Sequence, residues 1–467
     1  MTHQVAHQQN TRGDAAARGH RLTGPRAVAA LADLGLSSIA AGVLARRRPA
    51  VRVLETAQAD RRAVARMKKL RGEFGRGPVE LVLPGRRILV ILDPNDVGRV
   101  LDDSPAPFHP ANLEKRKALQ WFQPHGVLIT QGPIRRQRRE LNESALDFGD
   151  EIHHLAGDFS LVIAEEVDAI ATEARRTGTL TSSRFMTGWW RLVRRVMLGP
   201  DARDDETITD ELMHLRKAGN WSFLALPQYR RRSRFLEHLQ GYAENPHPNT
   251  LAGALAQVPA GGAIDPVGQM PQWMFAFDAA GMALMRALAL LSTHPDALWR
   301  AIEDSAAPHS PQTREFLRAA VLESVRLWPT TPTILRDTVE DTEWDSDGDR
   351  FTIAAGTGVM IVTPAFHRDD QLLPFAHRFV PEIWLDGTAH LYRQLAPFSA
   401  GPAECPGRNL VLFVTSTVIA QLLTQLRLTL QSTPHLSPDR PLPMTLNQLT
   451  LEWAAEPASG TRLTDNG

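Results

Sequence analysis

The chain holds one cysteine, Cys405, in the loop Phe398-Ser399-Ala400-Gly401-Pro402-Ala403-Glu404-Cys405-Pro406-Gly407, directly before an apolar run that reads as a helix from Arg408 to Leu426. A thiol at the start of a helix meets the positive end of the helix dipole and unbonded N–H groups, which lower its pKa and keep it ionised as a metal ligand. Gly401 and Gly407 let the backbone come close to a flat group, and Phe398 can shield the sulfur from water. A lone cysteine excludes an internal disulfide framework, a cysteine-based zinc site and a cluster held by several thiolates. Left open are a single-thiolate metal centre and a small buried residue at a helix start.

A second chemical position is Asp278. It is the one acid in the stretch from Pro271 to Pro295, which is apolar on all sides and therefore belongs inside a large fold. A buried carboxylate is costly unless it is paired or useful. Glu323 and Arg326 stand three apart on a helix expected over Arg314–Leu327, so they share a face. Basic residues recur at Arg135, Arg136, Arg138 and Arg139, and Arg336 follows the Glu323 helix.

In this order the segments resemble the cytochromes P-450. The cysteine loop is similar to that family's haem-binding loop, with Phe398, Gly401, Cys405 and Gly407 at the family's spacing and Ala403 where a basic residue is usual. Leu322-Glu323-Ser324-Val325-Arg326-Leu327-Trp328-Pro329 resembles the Glu-x-x-Arg helix. The segments His367-Arg368-Asp369 and Phe379-Val380-Pro381-Glu382-Ile383-Trp384 resemble the one that completes its salt-bridge triad, with Ile383 in place of the third basic residue. Either the triad becomes a pair or a neighbour such as Arg378 substitutes.

The resemblance implies a mainly α fold with small β-sheets, the cytochrome P-450 fold, holding haem b with Cys405 as the metal ligand. It implies that Arg138 and Arg336 bind the haem propionates, with Ile134 in place of the usual aromatic residue four before Arg138. Asp278 takes the acid position of the oxygen-activating helix, and Ala279 replaces its threonine. The implied activity is a monooxygenase that puts one atom of dioxygen into a hydrophobic small molecule. The electrons would come from a separate donor, a ferredoxin with its reductase. Ala279 keeps open a peroxygenase, an oxidative coupling enzyme or another non-hydroxylating haem-thiolate enzyme. The losses at Ala403, Ile383 and Ile134 keep open a non-catalytic haem sensor or scaffold. Substrate-facing positions by analogy include the 108–128 loop, the region 221–229, Phe275 and Phe277.

The elements that must position these residues follow from periodicity and turn signals. A charged helix is expected over 59–74, then a hairpin of 79–83 and 87–92 joined at Pro84-Gly85. Helical periods dominate to about Arg326, strand patterns return at 350–353 and 358–363, and an irregular segment covers 374–406. Strand-like alternation closes the chain at 427–431 and 445–453. With 43% hydrophobic residues and no internal repeat or linker, residues 59–467 read as one α-rich catalytic domain. Residues 1–58 read as an extension, with a polar leader over 1–24 and a packed or surface helix at 27–45 that could touch a membrane. Lys+Arg and Asp+Glu both number 52, which gives no sign of a nucleic-acid partner, and the lone cysteine suits a cytoplasmic chain.

Overall fold

The structure is a computed structural model that describes residues 20–458 except 43 and 347. The chain begins with strand β1 (Arg21–Thr23) and helices α1 (Gly24–Ala41), α2 (Arg48–Thr56) and α3 (Asp60–Phe74). The hairpin β2 (Val79–Leu83) and β3 (Arg86–Val90) leads to α4 (Pro94–Asp102), β4 (Phe108–His109) and α5 (Leu113–Leu119). The helical middle consists of α6 (Ile134–Ala145), α7 (Ala156–Thr177), β5 (Thr179–Thr181), α8 (Ser182–Leu198), α9 (Glu206–Gly219), α10 (Tyr229–Glu244), α11 (Leu251–Gln257), α12 (Met270–Leu291), α13 (Pro295–Glu303) and α14 (Glu315–Leu327). After it come β6 (Thr333–Thr338), β7 (Thr342–Ser346), β8 (Asp349–Ile353), β9 (Gly358–Val362), α15 (Thr363–His367), α16 (Arg408–Gln425), β10 (Leu426–Leu430) and β11 (Glu452–Pro457). The mainly α architecture with small sheets is that of the cytochrome P450 fold.

Two compact units are formed. The first takes in residues 20–118, 326–376 and 389–405. Its centre is a six-stranded sheet in the order β1-β2-β3-β9-β6-β4. The hairpin turns at Pro84-Gly85, where Gly85 has φ +73°, a left-handed conformation that glycine adopts without strain. β3 runs parallel to β9 with Ile88 opposite Gly358, and β9 pairs antiparallel with β6 so that Arg336 faces Val359. Leu81, Leu89, Val359 and Ile361 are buried on this sheet. Helix α1 presents Ala27, Ala30 and Leu34 to the same core at helical spacing, and its Asp33 accepts a hydrogen bond from Arg66 Nε of α3 at 2.8 Å.

The polar leader expected over 1–24 does not extend that far: Arg21–Thr23 pairs with Glu80–Val82 as a parallel edge strand, because Leu22 has an apolar place in the core. Residues 1–19 lie outside the described residues. The sheet is larger than the sequence pattern suggested, since β1, β4 and β6 went unrecognised; β7, also unrecognised, pairs with β8 in a separate two-stranded sheet.

The second unit takes in residues 119–325, 377–388 and 406–458. Helix α12 is its core, and it is the one helix among the described residues long and apolar enough to cross a membrane. Trp189 of α8 donates from Nε1 to the Phe277 carbonyl at 2.9 Å, and a Cβ on Gly281 would lie 2.8 Å from that nitrogen. Only glycine permits this approach of α8 to α12. The strand expected at 445–453 starts only at Glu452. Arg286 Nη2 draws the Leu446 carbonyl at 3.3 Å and Gln448 Oε1 at 2.9 Å, and the Asn447 side chain takes the Leu449 N–H, so these groups do not join a ladder.

Candidate functional site

In the first unit the cysteine loop is closed by the Cys405 N–H, which donates to the Phe398 carbonyl at 2.9 Å. Cys405 and Phe398 are both partly exposed, so the thiol is neither a core residue nor a surface one. Gly401 sits at φ +64°, and a Cβ there would lie 2.3 Å from the Leu101 carbonyl oxygen, so the loop packs on α4 through a position only glycine can fill. Gly401→Ala is expected to cost more than about 2 kcal/mol, from left-handed strain and the clash together. Thermal unfolding checks this, and an unchanged midpoint would contradict it.

Arg336, 3% exposed, reaches the same loop from β6. Its Nη2 donates to Ser399 Oγ at 3.2 Å, its Nε to Ser104 Oγ at 3.1 Å and its Nη1 to the Leu335 carbonyl at 3.0 Å. The first unit thus brings together four of the residues singled out in the sequence: Arg336, Phe398, Gly401 and Cys405. A fixed cation bonded to the glycine-bearing loop that carries a partly open thiol suits a planar, anionic, metal-bearing group.

Glu323 and Arg326 stand one turn apart on α14. Arg326 is fully buried, donates to the carbonyls of His367 at 2.9 Å and Ala376 at 3.2 Å, and lies over the Phe375 ring. Glu323 in the second unit accepts from the Val380 N–H at 2.9 Å and from Trp384 Nε1 at 3.0 Å. Ile383 is buried, and the indole of Trp384 supplies a donor in the segment where the resemblance leads one to expect an arginine. Glu382 pairs instead with Arg300.

His367, also buried, lies with Nε2 3.1 Å from the Gln394 carbonyl. Burial, with Arg326 beside it, pushes its imidazole down to about 3. The unfolded chain, with a histidine pKa of about 6.5, takes up the proton first. Stability from this group is therefore full above about pH 6.5 and is lost as pH falls towards 3, by up to about 1.4 kcal/mol per pH unit. Denaturant unfolding between pH 4 and pH 7 should show a shallower dependence in His367→Gln. Parallel wild-type and variant curves would contradict the assignment.

In the second unit the acid of α12 is paired. Asp278 accepts from Arg216 of α9, whose side chain is 2% exposed against 14% for the carboxylate, and the Arg216 guanidinium lies 4.7 Å from the centre of the Phe275 ring. Helix α12 is otherwise closed in by protein. Its partly exposed positions after the first turn are Gln272, Phe275, Ala276, Asp278 and Ala279, and 272, 275, 276 and 279 fall on one helical face. One side of the core helix is therefore only partly covered by the protein's own side chains. Phe275 belongs to that side, whereas Phe277, 2% exposed and packed edge-on to Trp189, is plain core.

Arg138 on α6 is buried, and its guanidinium donates to the Ile264 carbonyl and Thr130 Oγ1, both at 2.9 Å, and to the Ala263 carbonyl at 3.4 Å. Burial among neutral oxygens lowers its pKa, with Asp265 opposing the shift. Arg135, one turn earlier, has a buried Nε without a hydrogen-bond partner, and burial with Arg139 nearby lowers its pKa too. The basic run thus offers an anion a cation that Arg138 alone would not suggest. Gly407 comes near Leu146 just beyond α6, and Asn142 of α6 accepts from Trp273 Nε1 of α12 at 2.7 Å.

Sequence reasoning missed Arg216, and it named Arg135 and Trp384 without giving either a role. A signal for Arg216 existed, because the buried face of α9 runs Ile208, Leu212, Leu215, Arg216, Gly219, and an arginine among apolar positions has a buried partner.

The comparisons agree with this architecture. Residues 274–453 match the model of the family described as "Cytochrome P450". A protein of Streptomyces melanosporofaciens named "Cyclooctat-9-en-7-ol 5-monooxygenase" is 34% identical over 149 residues, 30% of this chain and 32% of that protein. "Probable cytochrome P450 4s3" of Drosophila melanogaster is 29% identical over 153 residues, 32% of this chain and 30% of its own length. "Cytochrome P450 4V2" of Mus musculus is 28% identical over 161 residues, again 32% and 30%. The matches span about a third of the length of these curated relatives. Residues 274–453, which carry the cysteine loop and the Glu-x-x-Arg helix, thus match the cytochrome P450 family. Members of this family bind haem b.

Proposed function

We propose that the chain is a haem-thiolate monooxygenase acting on a hydrophobic small molecule. The observation that carries this is the single thiol, Cys405, held part-open in a loop that Gly401 fastens to α4 and Arg336 reaches from the sheet. Cys405 is the residue that would hold the iron, with Phe398 in the same loop and Arg336 as the cation that would serve a propionate. Haem b, when bound, would supply dioxygen activation, with one oxygen atom entering the substrate and the other leaving as water, at the expense of two electrons from a donor and two protons.

The chain's own residues position and protonate. Asp278, held by Arg216, is the acid next to Ala279, where a methyl group cannot relay a proton. A water or a substrate hydroxyl takes over that relay on the open face of α12. The apolar character of Phe275 and Ala276 favours a hydrophobic substrate, and the Streptomyces relative is named as a 5-monooxygenase of cyclooctat-9-en-7-ol. A ferredoxin with its reductase is the donor that suits this reading, and the setting is a cytoplasmic enzyme of secondary metabolism. Ala279 specifically favours a second reading, a peroxygenase or coupling enzyme that needs no such relay.

The test has two arms. The reduced wild-type protein exposed to carbon monoxide should show a strongly red-shifted Soret band, and turnover under isotopically labelled dioxygen should place one labelled atom in the product. Absence of bound haem would defeat the proposal, and unlabelled or merely coupled product would transfer it to the second reading.

A further inference from the structure

The loop that joins α6 to α7 gathers three side chains able to hold a metal ion. Asp147, His153 and His154 each offer a donor atom, and the three atoms lie within 4.8 Å of one another, the one such group among the described residues. Asp147 Oδ2 stands 2.6 Å from His154 Nδ1 and 3.8 Å from His153 Nδ1, and the two imidazoles lie stacked with ring centres 4.5 Å apart. Donors placed tetrahedrally at about 2.0–2.1 Å from a zinc ion are about 3.4 Å from each other. The two spacings lie on either side of that value, so closing the group on an ion takes shifts of less than about 1 Å. The side chain that has to turn, His154, is 57% exposed, whereas His153 is buried. Solvent therefore gives an ion its way in on the His154 side.

The groups around these side chains already serve them as the neighbours of metal ligands do. His153 Nε2 lies 3.2 Å from the carbonyl of Ala145, the last residue of α6. A carbonyl can only accept, so Nε2 carries the hydrogen and Nδ1 keeps a lone pair, the tautomer that a backbone carbonyl fixes in a ligating histidine. The Asp147 carboxylate is oriented by the His154 N–H, which donates to Oδ2 at 2.7 Å. Two bonds give way to an ion. The Leu155 N–H releases His153 Nδ1, which it reaches at 3.1 Å, and stays at the partly exposed start of α7, where water can take it. The proton between His154 Nδ1 and Asp147 is displaced, leaving that ring neutral with its hydrogen on Nε2. The same loop is tied to the first turn of α16, because Asn409 donates to the carbonyls of Phe148 at 3.3 Å and Asp150 at 2.9 Å.

We propose that Asp147, His153 and His154 form a zinc site, with water completing the coordination, that clips the end of α6 to the start of α7. Two imidazoles and a carboxylate are the donors of a borderline divalent ion, and they contain no sulfur. An ion held there braces the loop on which α16 begins, so it stabilises the folded chain.

The experiment titrates zinc chloride into the purified full-length protein by calorimetry, against a competing chelator so that weak binding by other histidines does not register. Wild type should take one tight zinc ion and unfold at a higher temperature with it than without it. X-ray absorption of the loaded protein should show nitrogen and oxygen at about 2.0–2.1 Å. His154→Ala and Asp147→Asn should each weaken that ion about 100-fold or more and cancel the rise in unfolding temperature. Both variants keep the zinc-free fold, since His154 is exposed and asparagine tolerates the left-handed backbone of residue 147, at φ +46°. Absence of a tight ion in wild type overturns the site, as does a tight ion that survives either substitution. Sulfur at about 2.3 Å would assign the ion to Cys405 and overturn it too.

Discussion

Cys405→Ser is expected to abolish the red-shifted band and all oxygen insertion while the protein still accumulates in folded form. Serine matches cysteine closely in size, and the N–H of residue 405 would still donate to the Phe398 carbonyl, so the loop keeps its shape. What disappears is the ionised sulfur. A hydroxyl has a far higher pKa than a thiol and does not give the electron donation that separates haem-thiolate oxidants from other haem proteins. No other residue can substitute, because the sequence holds no second cysteine. The measurement is the reduced carbon monoxide spectrum of the variant beside circular dichroism. A variant that keeps the band would show that another group holds the metal.

Arg216→Leu should be the most disruptive single change in the second unit. It removes the cation from a pair in which both members are largely buried, leaving the Asp278 carboxylate on the core helix without the guanidinium it binds. Breaking such a pair from one side costs about 3–5 kcal/mol, most of it the expense of an uncompensated charge. It also exposes one face of Phe275, over which the guanidinium lies. The double variant Arg216→Leu with Asp278→Leu should recover most of that loss, because two apolar groups need no pairing. Denaturant unfolding of the two single variants and the double one measures the coupling. Additive costs would mean that the pair is incidental.

Much of the site was legible in the sequence because its parts are local. A lone cysteine between glycines and an apolar helix can be read from neighbouring residues, and so can Glu323 and Arg326 one turn apart. Asp278 was legible as an anomaly, a charge in an apolar helix, but its partner was not. Arg216 comes from a helix far away in sequence, and only packing brings the two together. The same holds for Trp384, whose indole reaches Glu323. Arg138 shows the converse: its register fits a propionate ligand, yet its donors go to Thr130 and to carbonyls of the segment before α12. Among the elements, helices and the hairpin announced themselves by period and turn residues. β1, β4 and β6 did not, because short strands take their identity from the neighbour they pair with.

The parallel pairing of β3 with β9 has a consequence for biogenesis. On the ribosome, Ile88 emerges long before Gly358, so the nascent sheet waits as an unpaired edge while the whole helical middle is synthesised. Such high contact order makes for slow folding and leaves strand edges open to aggregation in the interval. Recombinant production should therefore gain from added chaperones that cover this edge until Gly358–Val362 is made, with the yield falling the longer the edge stays uncovered.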